Sequence, residues 1–261
     1  AASDVYKRQP QAFGFAILRR ESALRGDPPP RLLSGPEQDV VLRELLAGHR
    51  ADGTGPDWPP ELRAALPTRG FRAQLRDLLM RAAEHGLDGP SLAELGRRHD
   101  RAHWVAAAEV LAEYDEVTAL SRPGSYDPAW VLTAAADRLR EDPEALDRVR
   151  EGLRLVVVDD AQELTWPAAR LLALLAGPPV QLVLLGDPDA AVQTFRGADP
   201  SLLVQPWPGL GDVPTIVLGT AYRHDARMRG VADAVVGRIG ATGGGAQRVV
   251  RPAGAAGTVE V

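Results

Sequence analysis

The chain contains no cysteine, a single lysine and no long apolar run. Without cysteine it can form neither disulfides nor thiolate metal sites, as is common in the reducing cytoplasm. No apolar run approaches the length of about 20 residues that a membrane span needs. The N-terminus also lacks the apolar segment of a secretory signal peptide. We therefore expect a cytoplasmic protein that has no membrane partner.

What remains is the composition of an ordinary globular protein. The 261 residues are 45% hydrophobic and 25% charged, which is enough to bury a sizeable core and to form more than one domain. The net charge of −5 argues weakly against nucleic-acid binding, because phosphate contacts need basic surface. Of the 30 basic residues only Lys7 is a lysine, and a local cluster of the arginines can still form on an acidic protein.

The clearest pattern lies in the middle of the chain. Two short apolar runs, Leu155–Val158 and Leu182–Leu185, are rich in valine and leucine and predict strands buried on both faces. Between them, Trp166–Ala176 predicts a helix, with Thr165 placed to cap its start and Gly177 after its end. Strand, helix and strand at this spacing predict a βαβ unit, whose parallel strands end at the same edge of the sheet.

Both apolar runs are followed by acidic residues. Asp159 and Asp160 follow the first run, and Asp187 follows the second after a glycine. An acid after a buried strand is often only a turn former or a helix cap. Three carboxylates at the ligand-binding edge of an α/β sheet need a counter-charge, however, and a metal-bound polyphosphate supplies one. The combined pattern favours a nucleotide site at this edge.

The segments that carry these acids resemble known motifs. VVVDDAQE and LLGDPDAAVQTFRGADP are similar to motifs II and III of the UvrD/Rep-type superfamily 1 DNA helicases, whose usual forms are VDExQD and GDxxQxIYxFRGA. LGTAYRHDARMRGVADAVV, at Leu218–Val236, resembles motif IV, LxxNYRS followed by a helix. The chain looks most like the AdnA-type subunit of actinobacterial helicase–nucleases. The alternative is an unrelated nucleotide-binding α/β protein, in which these matches are accidents.

The resemblance implies an α/β fold with a partial RecA-like parallel-sheet motor domain, a helical insertion and the start of a second RecA-like domain. The implied boundaries are 1–9 for a non-native leader, 10–30 for the end of the first core segment, 31–125 for the helical insertion, 126–214 for the remainder of the first RecA-like domain and 215–261 for the start of the second. The family's phosphate loop, GxxxxGK followed by Ser or Thr, does not occur in the sequence. We therefore expect a fragment of a longer protein.

Local patterns add four expectations about secondary structure. An apolar stripe along residues 71–82 predicts an amphipathic helix. The glycine- and proline-rich segment Gly48–Pro60 predicts a loop. Thr215–Leu218 predicts a third buried strand, and Arg223–Ile239 predicts a helix with one apolar face.

The resemblance implies ATP and Mg²⁺ as cofactors and gives roles to individual residues. Asp159 would bind the metal, and Asp160 would orient the attacking water. Gln162 would couple the nucleotide to motion, and a plain surface role is its alternative. Asp187 would contribute to the nucleotide site, and Arg223 would reach the γ-phosphate across the domain cleft.

The resemblance also implies single-stranded DNA or duplex ends as a partner. Phe195 stands at the position on which a base stacks, and core packing is its alternative. Arg196 follows it and is assigned to the nucleotide site, with a structural ion pair as the alternative. Phe13, in QAFGFAILRR, matches the end of motif Ib, which lines the DNA groove, and a plain buried helix is its alternative. A second helicase–nuclease subunit is the implied protein partner.

Five positions depart from the family's motifs, among them Gln193 in place of a Tyr and His224 in place of a Ser. Asp160 stands where the family has Glu, and Ala190 and Ala221 replace a Gln and an Asn. Because a misplacement near 1 Å can cost about a hundredfold in rate, the shorter Asp160 predicts weak or absent hydrolysis. Two functions are therefore open: an ATP-driven 3′-to-5′ DNA translocase in double-strand break repair, and a non-hydrolysing DNA-binding scaffold subunit beside an active motor.

Overall fold

The computed structural model describes residues 7–205, 207, 213–223, 225–240 and 246–253. They belong to two compact units. The first comprises the described residues up to Gly152 together with Thr165–Leu175, and the second comprises Leu153–Leu164 and the described residues from Ala176 onward. Residues 1–6 of the predicted leader lie outside the described part. Within that part, no helix combines the length and the apolarity needed to cross a membrane.

The first unit is built mainly from helices. Its elements in chain order are α1 (Pro10–Arg25), β1 (Arg31–Leu32), α2 (Gly35–Asp52), α3 (Pro60–Arg63), α4 (Arg69–Glu84), α5 (Gly89–Arg98), α6 (Ala102–Ser121), β2 (Ser125–Tyr126), α7 (Val131–Glu141), α8 (Pro143–Glu151) and α9 (Trp166–Leu175). The two short strands pair in parallel, with Arg31 opposite Ser125.

Several of these helices begin at a residue whose side chain binds a free backbone amide. Thr68 accepts a hydrogen bond from the amide of Phe71 before α4, and Asp88 and Asp142 do the same before α5 and α8. Ser34 and Glu37 form a reciprocal capping box at the start of α2. Because the first amides of a helix have no partner within it, these side chains fix where each helix starts.

The core of this unit lies where α2, α4, α5 and α6 pack together. Its fully buried side chains include Leu42, Leu79, Leu92 and Leu111. The predicted apolar stripe along 71–82 is confirmed, since its members are buried or half-buried on the face of α4 that packs into this cluster. Elsewhere in the unit, α7 packs against both α1 and α9.

One prediction for this unit is wrong. Gly48–Pro60 is not a continuous loop, because α2 continues through Gly48 to Asp52. The buried face of α2 outweighs the low helix propensity of a single glycine. The helix ends only where Gly53 adopts a left-handed conformation with φ 65°, which glycine reaches without steric cost.

The second unit contains two pairs of parallel strands. β3 (Leu155–Val158) pairs with β4 (Gln181–Leu184), with Leu155 opposite Gln181 and Val158 opposite Leu184. β5 (Thr220–Ala221) pairs with β6 (Arg251–Pro252), and α10 (Ala226–Val236) lies between them in the chain. The predicted order of strand, helix and parallel strand is confirmed, since α9 follows β3 and precedes β4 in the chain and the two strands pair in parallel. The protein is therefore a mixed helical protein with small parallel sheets.

The expectation that β3 and β4 are buried on both faces is wrong. Leu155 and Val157 are each about half exposed, at 52% and 51%, and β4 has no fully buried residue. Among the described residues each sheet has only two strands. In the described part of the chain neither outer edge of this pair has a further strand, and one face of β3 is exposed while the other is half-buried. The apolar runs therefore form strands without becoming a fully buried core.

The expectations for the segment after residue 213 need two corrections. Thr215–Leu218 is not a strand, and Ile216 and Leu218 are 85% and 78% exposed. Its backbone has no strand partner among the described residues, whereas Thr220–Ala221 has one in β6. The helix starts at Ala226 rather than Arg223, because Asp225 caps its first amides, and it ends at Val236 rather than Ile239. Its predicted apolar face has no fully buried residue among those described.

Candidate functional site

The acidic residues after β3 and β4 lie at one edge of the strand pair. The parallel register places Val158 beside Leu184, and the ladder continues one residue further, since the Leu185 amide donates to the Val158 carbonyl at 2.8 Å. The Ala161 amide then donates to the Leu185 carbonyl at 2.8 Å. The segment that contains Asp159 and Asp160 therefore runs beside the segment that leads into Asp187, as the βαβ pattern predicts.

The backbone turns sharply at Asp160. This residue has φ 50° and ψ 43°, in the left-handed region, where aspartate is one of the few residue types that are tolerated. Its amide donates to Oδ1 of Asp159 at 3.1 Å. Both side chains are exposed. The turn thus ends the strand and presents two neighbouring carboxylates to solvent.

Gln162 connects the two strand ends. Its Nε2 donates to Oδ1 of Asp160 at 3.2 Å, and its Oε1 accepts from the Asp187 amide at 3.2 Å. The residue is only 4% exposed, so the surface role considered for it is wrong. Gly186 makes room for it, because a Cβ there would lie 2.6 Å from Oε1 of Gln162. One buried amide therefore fixes both acidic segments at once.

The loop after β4 contains an ion pair between Asp189 and Arg248. Oδ1 of Asp187 accepts from the Asp189 amide at 3.0 Å and caps a 3-10 turn, Pro188–Ala190. The Arg248 guanidinium forms two hydrogen bonds with the Asp189 carboxylate, at 2.5 and 2.9 Å. These bonds hold the pKa of Asp189 below its usual value. Arg248 lies in none of the recognised motifs, and nothing in its local sequence marks it.

Glu163 is a further residue that the sequence did not single out. Its Oε1 accepts from the Val192 amide at 2.7 Å, and its Oε2 accepts from the Gln193 amide at 3.0 Å. The signal in the sequence is the motif II match, because VVVDDAQE ends in an acid where the family's form VDExQD also does. The 3-10 turn Ala161–Glu163 therefore contacts both the start and the middle of the loop after β4.

Phe195 and Arg196 project from the end of the same loop. They lie in a 3-10 turn, Thr194–Arg196, and Phe195 is 66% exposed, so core packing does not explain it. The central guanidinium carbon of Arg196 lies 5.8 Å from the Phe195 ring centroid, within range of a cation–π contact. No ion pair joins Arg196 to another described residue, so the structural ion pair is not its explanation in this part of the chain. An exposed aromatic beside a cation can stack a base and contact a phosphate.

The other two predicted site residues lie elsewhere in the fold. Arg223 follows β5 in the second unit and is exposed, without a hydrogen bond or ion pair to any described residue. Phe13 lies in the first turn of α1, in the first unit, and is half-buried. The strand edge therefore brings together Asp159, Asp160, Gln162 and Asp187, whereas the predictions for Arg223 and Phe13 depend on the motif resemblance alone.

The donors at the edge have the chemistry that magnesium requires. Mg²⁺ prefers oxygen ligands and is usually held by one or two carboxylates, with phosphates and waters completing the octahedron. Asp159 is an exposed carboxylate without an ion pair to a described residue. No group of three or more acidic or histidine side chains able to hold a metal is found in the described ranges. The exposed carboxylate of Asp159 therefore offers the kind of oxygen ligand that a Mg²⁺-bound polyphosphate uses.

Known proteins share parts of this sequence. ATP-dependent DNA helicase UvrD2 of Mycobacterium bovis is 27% identical over 136 residues, which are 50% of this chain and 19% of that protein. RecBCD enzyme subunit RecB of Mycobacterium tuberculosis is 34% identical over 93 residues, 36% of this chain and 8% of RecB. ATP-dependent DNA helicase PcrA of Leuconostoc citreum is 25% identical over 137 residues, which are 52% of this chain and 18% of PcrA. The chain thus matches less than a fifth of each relative's length.

The family model covers more of the chain than any of these three relatives. The model of the UvrD/REP helicase N-terminal domain matches residues 11–206, a range that contains both helical and strand elements and the whole acidic edge. Because that match spans well over half of the 261 residues, the chain belongs to the UvrD/REP helicase N-terminal domain family.

Proposed function

We propose that this chain is part of an ATP-dependent DNA translocase of the UvrD class, in which Mg²⁺-bound ATP lies at the β3–β4 edge and single-stranded DNA contacts Phe195. The observation that carries the proposal is the convergence of Asp159, Asp160 and Asp187 at one strand edge, joined by Gln162. In this proposal the chain forms part of a RecA-like motor with a helical insertion, and 3′-to-5′ movement and a role in double-strand break repair follow from the family resemblance.

Each residue at the edge has a distinct task in this proposal. Asp159 holds the metal through an exposed oxygen, and Asp160 orients the water that attacks the γ-phosphate. Asp187 and Arg196 contribute to the nucleotide site, and Arg223 reaches the γ-phosphate from the second motor domain. Magnesium supplies charge neutralisation on the phosphate oxygens when it is bound.

A second function has specific support. Ala190 and Ala221 lack the polar groups found at these positions in the family, and Asp160 is shorter than the usual glutamate. A protein with these changes can bind DNA and nucleotide while hydrolysing ATP poorly. In that case it would serve as a cytoplasmic scaffold beside an active helicase–nuclease subunit, and the similarity to RecB, named as a subunit of an enzyme, supports this alternative.

An ATPase assay of the intact protein separates the two functions. The rate is measured with and without single-stranded DNA, for the wild type and for Asp160→Glu. A DNA-stimulated wild-type rate supports the translocase. A negligible wild-type rate that Asp160→Glu raises by up to about a hundredfold supports the weakened motor. A negligible rate in both variants, with DNA binding retained, supports the scaffold.

A binding assay tests the DNA side of the proposal. Phe195→Ala is expected to weaken single-stranded DNA binding about 5- to 150-fold, because base stacking contributes about 1–3 kcal/mol. Val192→Ala is the matched control, since Val192 is 72% exposed in the same loop but has no aromatic ring. Equal affinities of Phe195→Ala and the wild type would show that Phe195 does not stack a base.

A further inference from the structure

A cavity of about 230 Å³ lies between α1 and α7, with all of its lining residues in the first unit. Its wall combines the apolar side chains of Leu18 and Ala134 with three carboxylates, those of Glu21, Asp137 and Glu141. Asp137 already pairs with Arg140 at 2.6 Å. None of the residues to which the proposed function assigns a role lines this cavity. Because a water molecule takes up about 30 Å³, the cavity has room for a ligand of several non-hydrogen atoms.

Glu21 is buried in the wall of this cavity with one carboxylate oxygen unsatisfied. The residue is only 1% exposed. Its Oε2 accepts a hydrogen bond from Arg148 at 2.7 Å, whereas its Oε1 has no hydrogen-bond partner among the described residues. A buried polar atom without a partner is rare in folded proteins, because it has lost its hydration without compensation. Glu21 therefore needs an N–H or O–H donor, and the cavity that it lines has the space for one.

The other charged groups of the wall leave an excess of negative charge. Arg25 pairs with Asp27 at 2.7 Å, and Arg138 pairs with Asp142 at 3.2 Å. Both cations are therefore compensated by acids that do not line the cavity. The buried Nε of Arg138 lacks an acceptor among the described residues, which a water molecule beside a ligand can provide. Glu141, in contrast, is exposed and forms no hydrogen bond or ion pair with another described residue.

We propose that this cavity binds a small organic diammonium ion, with one ammonium group donating to Oε1 of Glu21 and the other beside Glu141. An ammonium group has three N–H donors and no acceptor, so it matches an oxygen that lacks a donor. The hydrocarbon chain of the ligand packs on Leu18 and Ala134, as the stem of a lysine packs on apolar surface. The inference is independent of the proposed function, because no residue of the acidic edge takes part in it.

The test is isothermal titration calorimetry of the intact protein with putrescine, a four-carbon diamine, and with butylamine, the corresponding monoamine. The wild type should bind putrescine at one site and butylamine about two- to fivefold more weakly, because ion pairs with an exposed acid such as Glu141 contribute little. Glu21→Gln removes a charged acceptor and should weaken the binding of both amines at least about tenfold. Glu141→Gln should weaken the binding of putrescine alone. Glu116→Gln, at an exposed site in α6 that does not line the cavity, should match the wild type.

A steric variant tests the cavity without changing a charge, and it decides the matter if Glu21→Gln does not fold. Ala134→Leu extends a side chain into the cavity from the interior of α7, where leucine is a good helix former. It should abolish the binding of both amines, while its circular dichroism spectrum stays that of the wild type. Putrescine affinity that is unchanged in Ala134→Leu would show that amines bind the acidic surface in general and would overturn the proposal. A wild type that binds neither amine would also overturn it, since the cavity would then hold only water.

Discussion

Gly186→Ala should disrupt the acidic edge without introducing charge or removing a ligand. A Cβ at this position would lie 2.6 Å from Oε1 and 3.1 Å from the backbone nitrogen of Gln162, and 3.0 Å from Cδ1 of Leu203. Real Cβ contacts are not that short, so Gln162 must move. The side-chain oxygen can rotate away, but the backbone nitrogen cannot without displacing the turn after β3.

The expected loss follows from these contacts. Moving Gln162 breaks its hydrogen bond to the Asp187 amide and leaves a buried polar group without a partner, which costs about 1–3 kcal/mol. Crowding adds about 1–3 kcal/mol. Since part of each cost is relieved by relaxation, we expect the local free energy of opening to fall by about 2–4 kcal/mol. This corresponds to a loss of about 30- to 900-fold in amide protection.

Hydrogen exchange is the suitable assay, because a chain with two units need not unfold in one step. The reporters are the amides of Ala161 and Leu185, which bond across the strand pair. Gly230→Ala is the matched control in the same unit. Gly230 lies inside α10 with open space around its Cβ position, so alanine there should stabilise the helix by about 0.5–1 kcal/mol. Equal protection in wild type and Gly186→Ala would refute the steric argument.

Two further predictions concern the helical unit. Leu79→Ala should lower the free energy of unfolding by about 2–5 kcal/mol, because Leu79 is fully buried. The control is Leu120→Ala, at a side chain that is 77% exposed, which should change the free energy of unfolding by less than about 0.5 kcal/mol. Equal urea midpoints of the two variants would contradict this prediction. Burial raises the pKa of Asp127 despite hydrogen bonds from Gln38 and Tyr114, so the folded chain holds this proton more tightly than the unfolded chain. Stability should therefore fall as pH rises above about 4, and in urea unfolding at increasing pH the Asp127→Asn variant should show a shallower fall than the wild type.

Local sequence signals predicted the parts of the fold that depend on neighbouring residues. The helix that starts after Thr68 and the strand Leu155–Val158 are present, because a cap and an uninterrupted apolar run act within a few residues of the chain. The parallel order of the two central strands also followed, since a helix between two strands requires it. The juxtaposition of Asp160 and Asp187 is a consequence of that order.

The features that the sequence did not predict depend on distant partners. Thr215–Leu218 has the composition of a strand, but no described segment pairs with it. The apolar run of β3 does not show whether other strands cover it. The contacts of Glu163 and Arg248 join residues separated by 29 to 59 positions, and the motif that contains Glu163 does not show which amides it binds. Such contacts can be seen only when the chain is folded.

The incomplete covering of β3 and β4 has a practical consequence for purification. Strands whose outer edges have no partner among the described residues, and whose apolar side chains are accessible as those of Leu155 and Val157 are, act as templates on which another copy can add a strand. Concentrated samples should therefore self-associate, and light scattering should rise with protein concentration. Val157→Lys places a charge on this surface and should raise the concentration at which scattering begins. If the wild type stays monodisperse at millimolar concentration, these strands are protected by something other than their own sheet.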